Sequence, residues 1–313
     1  MPLPDGVWWT DQLDTLMLPS APWKSHPIRG CWPSRTYTIA EVGASWITPL
    51  RNPGTGASMT PLEAAKAFVW MARYRGHHDA GKGANAVKFQ YWSDSDKLAG
   101  KRRMPEFADR YERSRLPANF LPLLAKEAAS IGMDFICTTY MMEDIAAVAP
   151  YVRAFKIASF EVLDVPFIEA HLPYDKPIYL STGLTTAAEL GRLLWLRKNL
   201  GRERLKLLLC TSAYPCPYGQ VNLQAIRRYD LDGLSDHTGH PMTGALAVCA
   251  GARTIEMHIR SEFTRDDNPD YPHALAPDDF DTYLTNIDLA EELLGDGEKV
   301  TMPAEAANRQ YMA

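Results

Sequence analysis

The stretch LLLCTSAYPCPYGQVNLQAIRRYDLDGLSDHT, from Leu207 to Thr238, decides the fold of this chain. It contains two short apolar runs, and each ends in polar side chains, CTS at 210–212 and SDH at 235–237. A third run, TIEM at 254–257, ends in His258. Short apolar runs of this kind predict buried strands. Three successive strands that carry hydroxyl, carboxylate or imidazole groups at their carboxyl ends are typical of sites in parallel α/β folds.

Strand and helix patterns alternate on both sides of this stretch. Strands are predicted at YTIAEV from Tyr37, at NAVKFQ ending at Gln90, and at 134–138, 154–158, 177–181, 205–210, 233–235 and 254–257. Helices are predicted at 61–75, 117–131, 186–199, 222–228, 242–251 and 277–294, among others. Eight strand-helix units in one chain favour an α/β fold of the (β/α)8 TIM barrel type over an open sheet.

We therefore predict a catalytic barrel over 37–295, preceded by an N-terminal arm over 1–36 and followed by a short C-terminal tail over 296–313. The arm is rich in tryptophan and proline, which suits an irregular segment whose aromatic faces pack against one end of the barrel. A contact between two copies in a homodimer is the alternative use of these tryptophans. Two long loops, 44–60 and 91–116, are expected to lie over the site.

Composition restricts the class of ligand. The net charge of −5 gives no broad basic surface, so nucleic acid is not an expected partner. No apolar run approaches the roughly 20 residues that span a bilayer, and a membrane is not expected either. The five cysteines are odd in number and form no CxxC pair, which indicates a reducing, cytoplasmic setting. Small-molecule substrates are the expected partners.

Two lysines are predicted to enter the barrel from neighbouring strands. Lys88 shares one face of its strand with Gln90, and Lys156 lies near the end of the strand in FKIAS. Because a buried lysine needs an anion, the pair predicts a pocket for phosphate and carboxylate groups, together with hydroxyls at strand ends. Those hydroxyls belong to Thr138, Ser159, Ser181, Ser212 and Ser235. The alternative is a structural role, in which the lysines form interior ion pairs with Glu41 and Glu161.

Two histidines end the seventh and eighth predicted strands. His237 and His258 should stand side by side, at matching heights, because these strands are neighbours in a barrel. Two imidazoles can hold one divalent ion, with water and substrate completing its coordination. Two hydrogen-bonded core histidines are the alternative.

The sequence resembles the sialic acid synthase family, whose members condense phosphoenolpyruvate with an N-acetylated amino sugar. The resemblance extends from about 37 to 293 and rests on IAEVG, NAVKFQ, FKIASFEV, LSTGLTTAAEL, CTSAYPCP with VNLQAI, LSDHTG, and TIEMH followed by NPDYPHALAP. It implies a barrel that uses a divalent ion, Mn²⁺ or Mg²⁺. It implies phosphoenolpyruvate binding by Lys88, Thr138, Lys156, Ser159, Ser181, Ser212 and Ser235, and metal binding by His237 and His258. Positions that face the acceptor sugar or the reacting water are matched by Glu41, Glu161, Glu256, Gln90, Tyr214 and Asp270, of which the three glutamates are the catalytic candidates.

Departures from the family pattern concentrate on the acceptor side. Ala44-Ser45-Trp46 replaces the usual Asn-His after IAEVG, Leu209 replaces a polar residue, and Tyr271 and Ala274 replace the usual His and Ser. The antifreeze-like domain that usually follows the barrel, and caps the sugar site across a dimer, is not expected here. The resemblance therefore predicts a phosphoenolpyruvate-dependent synthase whose acceptor is an aldehyde sugar, with a lid of its own.

Two other functions fit the same residues. A TIM-barrel aldolase or lyase would use one lysine as a Schiff base and would need no metal. A non-catalytic barrel that binds a sugar or a partner protein would explain the altered acceptor side, but not the retained lysines, histidines and hydroxyls.

Overall fold

A computed structural model describes residues 35–51, 56–74 and 83–312 of the chain. The predicted N-terminal arm lies outside the described residues, apart from its last two. The chain divides into two compact units, one of which is Pro33–Gly295. The stretch 296–312 belongs to the other unit and contains a 3₁₀-helix at Pro303–Tyr311.

The unit 33–295 is built around a closed barrel of parallel strands, each hydrogen-bonded to the next and the last to the first. The strands are β1 Tyr37–Glu41, β2 Ala86–Tyr91, β3 Asp134–Thr139, β4 Ala154–Ile157, β5 Ile178–Ser181, β6 Leu205–Cys210, β7 Gly233–Asp236 and β8 Thr254–His258. The (β/α)8 prediction is confirmed. Its strand bounds are correct to within about two residues, because each strand is a short apolar run with clear polar borders.

Helices surround the barrel. They are α1 Pro61–Arg73, α2 Ser95–Lys101, α3 Ala108–Ser114, α4 Leu121–Ser130, α5 Met142–Val148, α6 Val165–Ala170, α7 Ala187–Leu200, α8 Gln224–Arg228, α9 Thr243–Cys249 and α10 Pro277–Leu294. The segment 91–116 contains α2 and α3 and is therefore not the open loop that the sequence predicted. In the described ranges, no helix is both long and apolar enough to cross a membrane.

The barrel interior consists of layers, because alternate residues of each strand point inward. The lower layer is apolar and contains Ile39, Ala86, Ile136, Ala154, Tyr179 and Leu208. Two residues further along the same strands, the inward positions become polar, at Glu41, Lys88, Thr138, Lys156, Ser181 and Cys210. The strand period therefore places all these polar groups at the carboxyl end of the barrel, on an apolar floor.

Local signals place the helices that follow these strands. The helices α1 and α7 both begin with a capping box, in which Thr60 pairs with Glu63 and Thr186 pairs with Glu189. A cap of this kind stabilises a helix by about 1 kcal/mol. Tyr283 of α10 donates from its hydroxyl to Asp236 at 2.8 Å, which fixes the last helix against the end of β7.

Candidate active site at the carboxyl ends of the strands

Lys88 lies in the centre of the polar layer, and its ammonium group is buried. Its Nζ donates to Thr138 Oγ1 at 2.7 Å, lies 3.1 Å from Glu256 Oε1 and forms a close ion pair with Glu41. Burial alone lowers the pKa of a lysine, but Glu256 and Glu41 outweigh burial and raise the Lys88 pKa to about 12. The ammonium group is therefore charged at physiological pH.

Lys156 enters the same layer from β4. Its Nζ donates to Ser181 Oγ at 2.7 Å and to the backbone carbonyl of Ile157 at 2.9 Å, and lies 3.7 Å from Glu256 Oε2. Burial lowers the Lys156 pKa, although Glu256 opposes this shift. Burial would raise the pKa of Glu256, but Lys156 and Lys88 lower it to about 2. Glu256 is therefore the shared counter-ion of the two lysines.

Two serine hydroxyls converge on Gly183, beyond the end of β5. A Cβ atom at Gly183 would lie 2.7 Å from Ser159 Oγ and would overlap Ser212 Oγ. The absence of a side chain at Gly183 therefore allows the two hydroxyls to lie against its backbone. Ser235 is buried in β7, next to Glu256 of β8 in the strand register. Hydroxyl groups collected at the same end of the barrel as two ammonium groups suit a phosphate or a carboxylate.

Three imidazoles meet above β7 and β8. The ring centroids of His237 and His258 are 5.4 Å apart, and His273 lies 4.5 Å from His258 and 6.0 Å from His237. The Nδ1 atom of His237 lies 3.0 Å from the carbonyl oxygen of Thr211. Because a carbonyl only accepts, Nδ1 of His237 must donate, which leaves the lone pair of Nε2 free for a metal ion. The ring of Tyr214 packs against His237 at 4.3 Å.

Asp270 is held beside these histidines by the loop that follows β1. Its Oδ2 accepts from the backbone N–H of Ala44 at 2.6 Å, and Asn268 donates to the Ala44 carbonyl at 3.0 Å. Gly43 has a φ of +51°, and a Cβ atom there would overlap the Asp270 carboxylate. Glycine is therefore required for this approach. One ligand atom each from Asp270, His258 and His273 lie within 4.8 Å of one another.

A second group of polar residues lies at the ends of β2, β3 and β4. Gln90 donates to Glu41 Oε1 at 2.7 Å and accepts from the Tyr140 hydroxyl at 2.8 Å. The Arg102 guanidinium is 4.9 Å from the centre of the Tyr140 ring and 3.4 Å from Glu161 Oε1. Burial raises the pKa of Glu161, although Arg102 opposes this shift. Glu161 therefore holds a proton more readily than an exposed glutamate does.

The structure joins most of the residues predicted for the site. One network of hydrogen bonds and ion pairs contains Glu41, Lys88, Gln90, Thr138, Lys156, Ser181 and Glu256. Lys88 forms an ion pair with Glu41, whereas Glu161 pairs with Arg102 and not with either of the two lysines. Ser159 and Ser212 lie against Gly183, and Tyr214 and Asp270 accompany the two predicted metal histidines.

Sequence reasoning missed His273 and the inward position of Arg102. His273 lies three residues after Asp270 in an irregular segment, where no periodicity marks it. The sequence signal that could have indicated His273 is the number of His and Asp residues directly after β8. Arg102 follows α2, a helix that was not predicted, although Asp94 caps that helix by accepting from the Lys97 N–H at 2.9 Å.

Fold and site together define a class of protein. Two buried lysines, paired with glutamates, and a group of His and Asp side chains that could hold a metal ion lie at the face of the barrel where TIM-barrel enzymes carry their active sites. The family model described as the NeuB family matches residues 77–299. The chain belongs to this family, and the resemblance seen in the sequence is confirmed.

Relatives with assigned activities are synthases. The chain is 32% identical to the N,N'-diacetyllegionaminic acid synthase of Legionella pneumophila, over 76% of this chain and 70% of that protein. It is 35% identical to an uncharacterized protein of Methanocaldococcus jannaschii, over 71% of this chain and 67% of that protein. The sialic acid synthetase of Leptospira borgpetersenii has the same fold, with a TM-score of 0.74 at 22% identity over 89% of this chain and 91% of that one. The prediction of a synthase-type enzyme is confirmed.

Proposed function

We propose that this protein condenses phosphoenolpyruvate with an aldehyde sugar, giving a 2-keto-3-deoxy sugar acid and free phosphate. The carrying observation is the pair of buried lysines, Lys88 and Lys156, at the same end of the barrel as the serine hydroxyls that lie against Gly183. Membership of a family that contains a legionaminic acid synthase supports the same reaction class. The sugar acid named for that relative is not assigned to this chain.

The donor would bind with its anionic groups between the lysines and the hydroxyls. The Ser159 and Ser212 hydroxyls, which both lie against Gly183, suit the phosphate, since two neighbouring hydroxyls can donate to different oxygens of one phosphate. Lys156 and Ser181 lie deeper and suit the carboxylate. Thr138 and Ser235 are the remaining buried hydroxyls of the pocket.

The residues above β7 and β8 fit a divalent ion, since His237 keeps Nε2 free and the ring nitrogen Nδ1 of His258 is buried without a partner among the described residues. An ion held by His237 and His258 would supply Lewis-acid chemistry, which stabilises negative charge on a carbonyl oxygen. Mn²⁺ and Mg²⁺ are the ions that we propose.

The electron pair of the C2–C3 double bond of phosphoenolpyruvate attacks the aldehyde carbon through carbon 3, and the aldehyde oxygen takes up a proton and becomes a hydroxyl. Water adds to carbon 2 and loses a proton. The phosphate then leaves with the bridging oxygen and the electron pair of the broken carbon–oxygen bond, while the new hydroxyl on carbon 2 gives up its proton to the phosphate and becomes the ketone. Water must lose a proton as it adds to carbon 2, and Glu161 is the best base, because burial raises its pKa. Glu256 is a weak base, since the two lysines hold its pKa at about 2. Glu41 is committed to Lys88 and Gln90 and orients both.

The acceptor would meet Gln90, Tyr214 and Asp270, with Arg102 as an anion-binding residue at the pocket edge. The Arg102 side chain is 14% exposed, and its terminal nitrogens make only long contacts of 3.4 Å with Tyr111 and Glu161, so they could turn to an anion. We therefore propose an acceptor with an anionic group, and N-acetylmannosamine should be a poor substrate. The variant Arg102→Met should raise KM for an anionic acceptor, while Arg103→Met at the exposed neighbour should not. Efficient turnover of N-acetylmannosamine, unchanged in Arg102→Met, would contradict this acceptor.

Phosphate release from phosphoenolpyruvate, measured over a panel of aldehyde sugars with and without Mn²⁺, tests the reaction. Activity should require both an aldehyde and a metal ion. The variants His237→Ala and His258→Ala should lose it, whereas His240→Ala, at an exposed histidine, should retain it. In ¹⁸O-labelled water the released phosphate should carry no label. Labelled phosphate would mean phosphorus–oxygen cleavage and would refute the scheme.

A Schiff-base aldolase is the second candidate, and one observation favours it. Burial lowers the pKa of Lys156, as an amine nucleophile requires. Borohydride should trap a covalent adduct on Lys156 if this function is correct. No adduct, together with metal-dependent phosphate release, would exclude it.

A further inference from the structure

His273 is a buried imidazole without a role in the two-histidine metal centre. It is 2% exposed, and neither of its ring nitrogens has a hydrogen-bond partner within the described residues. Leaving a buried polar group unsatisfied costs about 1–3 kcal/mol. Nδ1 of His258 lies beside it and is also buried without a partner. Each of these two neighbouring imidazoles therefore has at least one buried ring nitrogen that can serve as a ligand atom.

Asp270 completes this group from a fixed position. Its Oδ1 lies 3.7 Å from His273 Nε2, and its Oδ2 lies 3.8 Å from His258 Nδ1. Both distances are too long for hydrogen bonds. They are close to the separations between neighbouring ligand atoms around one ion, about 3.0–3.4 Å when metal–ligand bonds are about 2.1 Å long. One ligand atom from each of the three residues lies within 4.8 Å of the other two, so the rings would have to turn toward one another to hold an ion.

We propose that His258, Asp270 and His273 form a two-histidine, one-carboxylate metal site, and that His273 is a direct ligand of the ion. This inference deepens the metal centre of the proposed function, but binding of the ion does not depend on turnover. His237 lies across the same space, with its Nε2 free.

The added imidazole determines which ion is preferred. Nitrogen ligands favour first-row transition ions over Mg²⁺, which prefers oxygen ligands and water. A site with two or three imidazoles and one carboxylate should therefore bind Co²⁺ and Mn²⁺ much more tightly than Mg²⁺. A centre with two histidines and mostly water ligands would discriminate less.

Titration of the chelator-treated full chain with Co²⁺, followed by visible absorption and calorimetry, tests the proposal without substrate. The wild type should bind one ion, with Co²⁺ favoured over Mg²⁺ by at least about 100-fold. The variant His273→Ala should weaken Co²⁺ binding by at least about tenfold and change the absorption bands. The matched control is His171→Gln, which alters another fully buried histidine whose two nitrogens are bonded to Thr139 and Phe167. It should leave both readouts unchanged.

Unchanged Co²⁺ affinity and spectrum in a folded His273→Ala protein would overturn the proposal. If that variant does not fold, pulsed electron paramagnetic resonance of wild-type protein with ¹⁵N-labelled histidine and bound Mn²⁺ decides the matter, since it counts the coordinated imidazoles. A count of two coordinated imidazole nitrogens, together with a requirement for both His237 and His258 in metal binding, would refute His273 as a ligand. Tight metal binding through His273 without phosphate release would instead refute the proposed function and keep this site.

Discussion

Removal of the Lys88 charge is the sharpest test of the buried polar layer. In the variant Lys88→Met, Glu41 and Glu256 lose the ammonium group that both contact. The rise of the Lys88 pKa from 10.5 to about 12 corresponds to the amount by which the attraction of Glu256 and Glu41 exceeds the free-energy cost of burying the ammonium group. At about 1.4 kcal/mol per pKa unit, that amount is about 2 kcal/mol. Because the variant also leaves buried carboxylates uncompensated, we expect a total loss of about 3–5 kcal/mol at pH 8.

The loss should depend on pH in a defined direction. Without Lys88, a buried carboxylate has a raised pKa, so the folded variant binds more protons than the unfolded chain above about pH 4.3. The stability of the variant should therefore fall as the pH rises from 5 to 8, by up to about 1.4 kcal/mol per pH unit. The Lys88 charge itself adds no slope to the wild type over this range, because its raised pKa makes its contribution change only above about pH 10.

Urea denaturation followed by tryptophan fluorescence, in the presence of a chelator, measures these quantities. The control is Lys97→Met, which removes an exposed pair with Glu143 and should cost less than about 1 kcal/mol. The double variant Glu41→Gln with Lys88→Met should recover part of the loss. If Lys88→Met lowers the free energy of unfolding no more than Lys97→Met does, and adds no dependence on pH, the interpretation of this layer as buried ion pairs is wrong.

Three further perturbations follow from the packing. His171 is fully buried, and burial lowers its pKa to about 4. The free energy of unfolding of the wild type should therefore fall by up to about 3 kcal/mol as the pH falls from 6.5 to 4. Urea titrations at both pH values should show that His171→Gln lacks this loss. Gly183→Ala should weaken phosphoenolpyruvate binding at least tenfold, about 1.4 kcal/mol by calorimetry, because its Cβ atom would overlap Ser212 Oγ and displace the serine hydroxyls. Gly244→Ala should lower the melting temperature by an amount equivalent to about 1–3 kcal/mol and spare donor binding, since its Cβ atom would lie 2.6 Å from Cζ of Tyr283.

Positions that repeat with the strand period could be predicted from the sequence. Lys88 and Lys156 are inward residues of regular strands, and the alternation of side chains places them in one layer without further information. The same holds for His258, which lies two residues after Glu256 on β8. The barrel follows from the same pattern, since eight apolar runs separated by helical segments have few other arrangements.

The missed residues depend on contacts between segments far apart in sequence. His273 enters the site because Asp270 is bonded to Ala44, 226 positions earlier. No local pattern encodes that closure. The segment 91–116 was mistaken for a loop because its dense charges hide the apolar positions of α2, of which Leu98 and Ala99 are buried. Arg102 then lies inward because the chain turns at Arg103, which has a φ of +56°.

In the proposed reaction, the charges of the site require the donor and the ion to bind cooperatively. The polar layer contains two ammonium groups and two carboxylates, and these already pair with one another. Phosphoenolpyruvate brings a carboxylate and a phosphate, so its negative charge exceeds the positive charge that this layer can offer. A divalent ion at the neighbouring histidines would supply the missing positive charge. Each ligand should then bind more tightly in the presence of the other, and thermodynamic linkage requires the two enhancements to be equal.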